Sequence, residues 1–108
     1  MSLEKIHKIP EILSEISNNV SHYEAMNKAD RYIVWAEDSE SASLSADNQK
    51  QIQVIQGTID YFTKKDKDVA VEEIQEALKA EKVSFYLNSV QYEEETGYIH
   101  YEWVWEVS

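Results

Sequence analysis

The strongest pattern of apolar and polar positions lies at 98–107, near the end of the chain, where the two kinds of residue alternate. One set of alternate positions is continuously apolar: Ile99, Tyr101, Trp103, Trp105 and Val107. The other set is mixed: Tyr98, His100, Glu102, Val104 and Glu106. Because successive side chains of a strand point to opposite faces, this alternation predicts a strand with one face covered by helices and the other partly wet.

Three further segments have the character of strands. The run 31–35 is short, apolar and rich in strand-forming residues. The segment 50–63 alternates, but its phase changes beside Gly57, which predicts one long strand with a β-bulge at that point. Residues 83–87 alternate again, and we expect this strand to continue toward the turn before the final strand.

Two other segments repeat apolar residues every three or four positions, which is the spacing of a helix face. We expect the first helix over 10–19, because proline is tolerated in the first turn of a helix and is costly inside one. Residues 1–9 are then a separate turn or a frayed N-terminal arm. We expect the second helix over 68–80, with Asp68 as its N-cap.

Between 37 and 48 the chain is polar, with serines at every second position from 39 to 45, and we expect a long loop there. The order of elements is helix, strand, strand, helix, strand, strand. This order predicts an α+β fold, most simply a four-stranded, largely antiparallel sheet with two helices packed on one face. A chain of 108 residues suits a single domain, 1–108.

The balance of charge argues against some partners. The chain has 21 Asp and Glu residues against 10 Lys and Arg, a formal net charge of −11. Such a surface repels phosphate, so we expect no specific binding to nucleic acid or to acidic membranes. We find no apolar run of the roughly 18 residues that a membrane span needs.

Candidate chemistry is sparse, and we expect no catalytic site, cofactor or metal. The sequence contains no cysteine, which excludes a thiol nucleophile and a disulfide. Gly57 and Gly97 are the only glycines, too few for a glycine-rich phosphate loop. The acidic runs 37–40 and 93–95 lack the alternating oxygen ligands and central glycine of a calcium loop.

Aromatic residues are frequent, with three tryptophans and seven tyrosines. Packing in the core is one explanation for them. However, two short helices cover only part of a four-stranded sheet, and Tyr and Trp are enriched where subunits meet. We therefore also take Trp35, Tyr101, Trp103 and Trp105 as candidate residues of a subunit interface.

Residues 31–107 resemble a family of small proteins encoded in the head–tail gene cluster of long-tailed phages and prophages of Gram-positive bacteria. The matching segments are YIVWAED (32–38), the loop as far as Asn48, QGTIDYFTK (56–64) and NSVQYEEETGYIHYEWVWEV (88–107). Proteins of this family look like tail-completion or tail-terminator proteins, whose α+β subunits form a ring, commonly a hexamer, at the head-proximal end of the tail tube.

The resemblance implies a structural virion protein without enzyme activity, which assembles with copies of itself and with tail-tube and head-connector proteins. It implies a location in the tail or neck of the virion, and in the bacterial host cytoplasm during assembly. The candidate loop facing the lumen or the tail consists of Glu37, Asp38, Glu40, Ser41 and Ser43. Carboxylates on a channel wall would let genome DNA pass without binding.

Other functions stay open. A neck or head-closure connector protein would fit the same resemblance. An acidic interaction module that mimics DNA or blocks a basic partner would fit the net charge equally well. A small enzyme would use His100, which shares a strand face with Tyr98 and Glu102, although such a face is far more often the half-wet side of a sheet.

Overall fold

The computed structural model describes residues 2–40 and 53–108. The helices are α1 (Ser2–Lys5), α2 (Lys8–Ser14) and α3 (Ala70–Ala80). The strands are β1 (Val20–His22), β2 (Arg31–Glu40), β3 (Ile55–Thr63), β4 (Ser84–Glu93) and β5 (Tyr98–Val107). The predicted α+β class is confirmed.

The described residues form a five-stranded sheet in the order β1-β2-β3-β5-β4. Strand β1 is parallel to β2, and the other neighbours are antiparallel, so the sheet is largely antiparallel as expected. The expected count of four strands is one too low because β1 has only three residues, too few to show a period of two.

One face of the sheet packs against α2 and α3 and forms the core. Residues from both layers are fully buried there: Ile9, Leu13, Ile33, Ile59, Ile74 and Leu78. We call this the helix-side face and the opposite one the outer face. The continuously apolar positions of β5 lie on the helix-side face, which confirms the prediction from their alternation.

Helix α2 begins and ends earlier than the predicted 10–19. Pro10 lies in its first turn, and Ile9 before it is fully buried, so residues 8 and 9 belong to the helix rather than to a frayed arm. The chain leaves the helix at Glu15. Beyond it the hydroxyl of Ser17 accepts the backbone N–H of Asn19 at 3.0 Å, a local bond that competes with helix continuation.

Helix α3 begins two residues after Asp68, within the predicted segment 68–80. Asp68 is not the N-cap, which is Val69, but its Oδ1 atom accepts the backbone N–H of Ala70 at 3.0 Å. The carboxylate therefore satisfies one of the free N–H groups at the helix start, as an N-cap side chain does. Asp68 does this from the residue just before the N-cap.

The predicted loop over 37–48 is wrong at its beginning. Residues 37–40 extend β2 and pair with the first residues of β3, with a register shift between Glu37 and Ser39. Polar residues continue as strand here because β3 supplies hydrogen-bond partners, a long-range effect that local composition does not contain. Residues 41–48 lie outside the described residues.

The β-bulge that we predicted in β3 beside Gly57 lies instead in the partner strand β2, between Glu37 and Ser39. Strand β3 is regular from Ile55, and residues 50–52 of the predicted strand lie outside the described residues. Gly57 has a different reason to be glycine. A Cβ at this position would lie 2.1 Å from the carbonyl oxygen of Ala36 and 2.4 Å from the ring of Trp105.

Candidate assembly surface

Three of the four candidate interface residues lie in the core of the chain itself. The side chains of Trp103 and Trp105 are fully buried, and Trp35 is buried as well. They pack with residues of α2 and α3, so they present no surface to another subunit and the alternative explanation, core packing, holds for them. Tyr101 is half-buried and lies where the helix layer ends.

The two central tryptophans differ in how their indole N–H is placed. Nε1 of Trp103 donates to Oε1 of Gln75 on α3 at 3.0 Å, which ties the helix to the sheet. Nε1 of Trp105 is buried and has no hydrogen-bond partner. An unsatisfied buried donor by itself disfavours folding, and the ring that carries it packs closely against Gly57.

The residues predicted to face a lumen or the tail differ in their burial. Glu37 is half-buried, and its Oε1 atom lies 2.5 Å from Nε2 of His22. Burial alone would raise the pKa of Glu37, but hydrogen bonds from His22, Tyr23 and the backbone outweigh it and lower the pKa. Asp38 and Glu40 are exposed at the end of β2. Ser41 and Ser43 lie outside the described residues.

The longer of the two edge strands in the described sheet is β4, because β1 at the other edge has only three residues. Strand β4 has ten residues, and Glu93 at its end is its only charged one. Four of its large apolar side chains are exposed: Tyr86, Leu87, Val90 and Tyr92. Natural edge strands are usually protected by charged side chains, proline, shortness or a β-bulge. Of these, β4 has only the carboxylate of Glu93 at its end and the register shift between Leu87 and Ser89.

Exposed apolar residues continue from this edge onto the helix-side face. A register shift between Leu87 and Ser89 places both Leu87 and Val90 on that face, opposite Trp103 and Tyr101. We define the apolar shelf as Leu87, Val90, Tyr92, Ile99 and Tyr101. A recess of about 640 Å³ opens along most of it, with Lys64 and Asp66 at its rim.

The shelf is bare because of the direction of α3. The helix starts beside Tyr61, through the bonds of Asp68, and ends at Ala80, shortly before β4 begins. It therefore covers the half of the sheet that holds Trp103 and Trp105 and leaves the half near the β4–β5 turn open. The sequence carries a signal for this edge, since β4 has one charge in ten residues while 29% of the whole chain is charged.

On the outer face, three rings stack across three strands. The ring centroids of Tyr32 and Phe62 are 4.6 Å apart, and those of Phe62 and His100 are 4.1 Å apart. Tyr98 lies edge-on to Tyr32, and its hydroxyl donates to the carbonyl oxygens of Lys28 at 3.0 Å and Ala29 at 2.7 Å. The hydroxyl of Tyr98 therefore ties the connection between β1 and β2 to the outer face of the sheet.

His100 lies among carboxylates. Its Nε2 atom lies 2.6 Å from Oδ1 of Asp60. That hydrogen bond, together with the negative charges of Asp60, Glu93 and Glu102, raises the pKa of His100 despite its partial burial. These surroundings favour the protonated form of the imidazole over the neutral one.

Two further observations concern metals and membranes. Within residues 2–40 and 53–108, no group of three or more His, Asp or Glu side chains is arranged to hold a metal ion. Among the helices of the same residues, none is long and apolar enough to cross a membrane.

The chain matches no model of a known protein family and no curated protein.

Proposed function

We propose that this chain is a structural subunit of a phage or prophage tail, a tail terminator or tail-completion protein, which assembles with copies of itself into a ring at the head–tail junction. The observation that carries the assembly role is the edge strand β4, whose single charged residue is Glu93 at its end, with the apolar shelf beside it. The phage context rests on the resemblance of residues 31–107.

The chemistry of the β4 edge suits contact between copies. Two molecules with a formal net charge of −11 repel each other over most of their surface. Strand β4 offers backbone N–H and C=O groups, four exposed apolar side chains and a single carboxylate at its end. Adding a strand there satisfies the backbone groups and buries apolar area without bringing many carboxylates together.

A charge placed on the shelf tests the self-assembly. We expect Val90→Glu to abolish association of copies, because the carboxylate lies on the apolar shelf, on a surface that closes against another copy. Assembly is followed by light scattering after size-exclusion chromatography, and by electron microscopy of rings formed on tails.

The matched control is Val69→Glu. Val69 is also an exposed valine, at the start of α3 and away from β4, so the change in net charge is the same. Equal loss of assembly in both variants would mean that net charge rather than the β4 edge governs association. Retained assembly of Val90→Glu would remove β4 as the contact.

The place in the particle needs a separate test. Antibody labelling of purified virions should find the protein where the head meets the tail. Particles made without the protein should lack the head-proximal ring. A protein absent from purified virions would overturn the proposal and favour the acidic interaction module. Label at the head side of the neck alone would favour a head-closure connector.

A further inference from the structure

The outer face carries two carboxylates in an unfavourable register. Asp60 on β3 and Glu102 on β5 are directly opposite each other, so their side chains project from neighbouring positions on the same face. Like charges directly opposite across two strands destabilise a sheet. A cation placed between the two carboxylates would offset this repulsion.

Among the described residues, the negative charge of this pair is offset only in part. His100 engages Asp60 at 2.6 Å, and the neutral amide of Asn88 donates to Glu102 at 2.8 Å. Glu93, at the end of β4, is near enough to His100 to contribute to its raised pKa. One histidine therefore lies among three carboxylates, and the side chain that bonds Glu102 within the described residues is the neutral amide of Asn88.

A recess adjoins two of these carboxylates, Asp60 and Glu93. It has a volume of about 360 Å³, lies between the β1–β2 connection and the sheet, and is lined by Asp60, Glu24 and Glu93 together with the apolar side chains of Val34 and Phe62. Lys28 also lines it, on the side of the connection. The volume lies at the lower end of the range for small binding sites. None of the helices within residues 2–40 and 53–108 covers this face.

We propose that the outer face binds a basic segment of a partner protein, with a Lys or Arg side chain seated between Asp60 and Glu102 and its aliphatic part in the adjoining recess. Charge complementarity selects this occupant: a cation relieves the repulsion between the two carboxylates, which a neutral or acidic partner cannot do. The surface lies on the opposite face of the sheet from the apolar shelf, so the proposal does not rest on the assignment to a phage tail.

The test uses a short fluorescein-labelled peptide of alternating lysine and serine, with a peptide of alternating glutamate and serine as the comparison. We expect saturable binding of the basic peptide alone, measured by fluorescence anisotropy. Glu102→Gln should weaken that binding roughly tenfold, because one charge-assisted contact is lost. The variant keeps an oxygen for Asn88 and removes the like-charge pair, so it should fold at least as stably as the parent chain.

The matched control is Glu73→Gln on α3, an exposed glutamate on the other side of the sheet with the same change in charge. This variant should bind the peptide within about twofold of the parent chain, since it removes only distant attraction. The NMR signal of the His100 ring should shift on addition of the peptide. Equal weakening by both variants, an unchanged His100 signal, or binding of a short DNA duplex in place of the peptide would each overturn the proposal.

Discussion

At the scale of single residues, the carboxylate of Asp68 joins three elements of the chain: β2, β3 and α3. It is buried and accepts hydrogen bonds from the hydroxyls of Tyr61 at 2.5 Å and Thr63 at 2.8 Å, from the backbone of Ala70 and from Arg31 at 3.2 Å. Burial alone would raise the pKa of Asp68, but these donors outweigh it and lower the pKa. The start of α3 is thereby tied to β3 and β2.

We expect Asp68→Asn to lower the free energy of unfolding by about 3 kcal/mol, because the amide turns a donor toward groups that need an acceptor. Urea denaturation at neutral pH measures this loss. Asp66→Asn, two residues earlier at an exposed site, should change stability by less than about 0.5 kcal/mol. Similar losses in the two variants would mean that the network around Asp68 adds little.

His100 gives the fold a dependence on pH with a defined sign. Its pKa is raised in the folded chain by Asp60 first, and then by Glu93 and Glu102. A raised pKa means that its contribution is fully present below the unfolded value of about 6.5, and is lost as the pH rises through the folded value.

We therefore expect the parent chain to be more stable than His100→Gln at about pH 5.5, with the difference shrinking at about pH 8.5. Urea denaturation of both proteins at the two pH values measures it. A difference that grows with rising pH would contradict the assignment, because it would require the folded chain to prefer the neutral imidazole.

At the scale of elements, the two glycines illustrate two distinct constraints. Gly97 in the β4–β5 turn has a φ of +80°, and a Cβ there would meet no atom within 4 Å. Gly57 lies in a regular strand, and a Cβ there would overlap the backbone of β2 and the ring of Trp105. The backbone conformation requires a glycine at 97, whereas close packing requires one at 57.

Substitution should separate these constraints. Gly97→Ala should lower the free energy of unfolding by about 1 kcal/mol, the usual effect of an unfavourable φ. Gly57→Ala should lower it by more than about 3 kcal/mol, because strands β2 and β5 must move apart. Thermal and urea unfolding compare the two, and an equal loss would show that the indole of Trp105 adjusts easily.

At the scale of the whole molecule, the charge of −11 acts in opposite directions on the two proposed surfaces. Salt screens repulsion between copies, and it also screens attraction to a basic segment. We expect self-association to strengthen and binding of the lysine peptide to weaken as sodium chloride rises from about 0.02 to about 0.5 M. Light scattering and fluorescence anisotropy measure the two effects, and changes of the same sign would contradict a separation of the surfaces.

Local patterns in the sequence determined much of the fold. The alternation from Ile99 to Val107 reflects a strand with one covered face, and the spacing around Ile74 reflects a helix with one buried stripe. Both follow from the periods of strand and helix, which depend only on neighbouring residues. The α+β class and the largely antiparallel sheet could be predicted for the same reason.

Tertiary structure decided the features that depend on distant partners. Strand β1 and residues 37–40 form strands because neighbouring strands supply their backbone hydrogen-bond partners. The register between β2 and β3 sets the position of the bulge opposite Gly57. The sequence could mark Trp103 and Trp105 as apolar, but whether such residues face a helix or another subunit depends on where α3 lies. For the same reason, only the strand order shows that β4 is the free edge and that Asp60 faces Glu102.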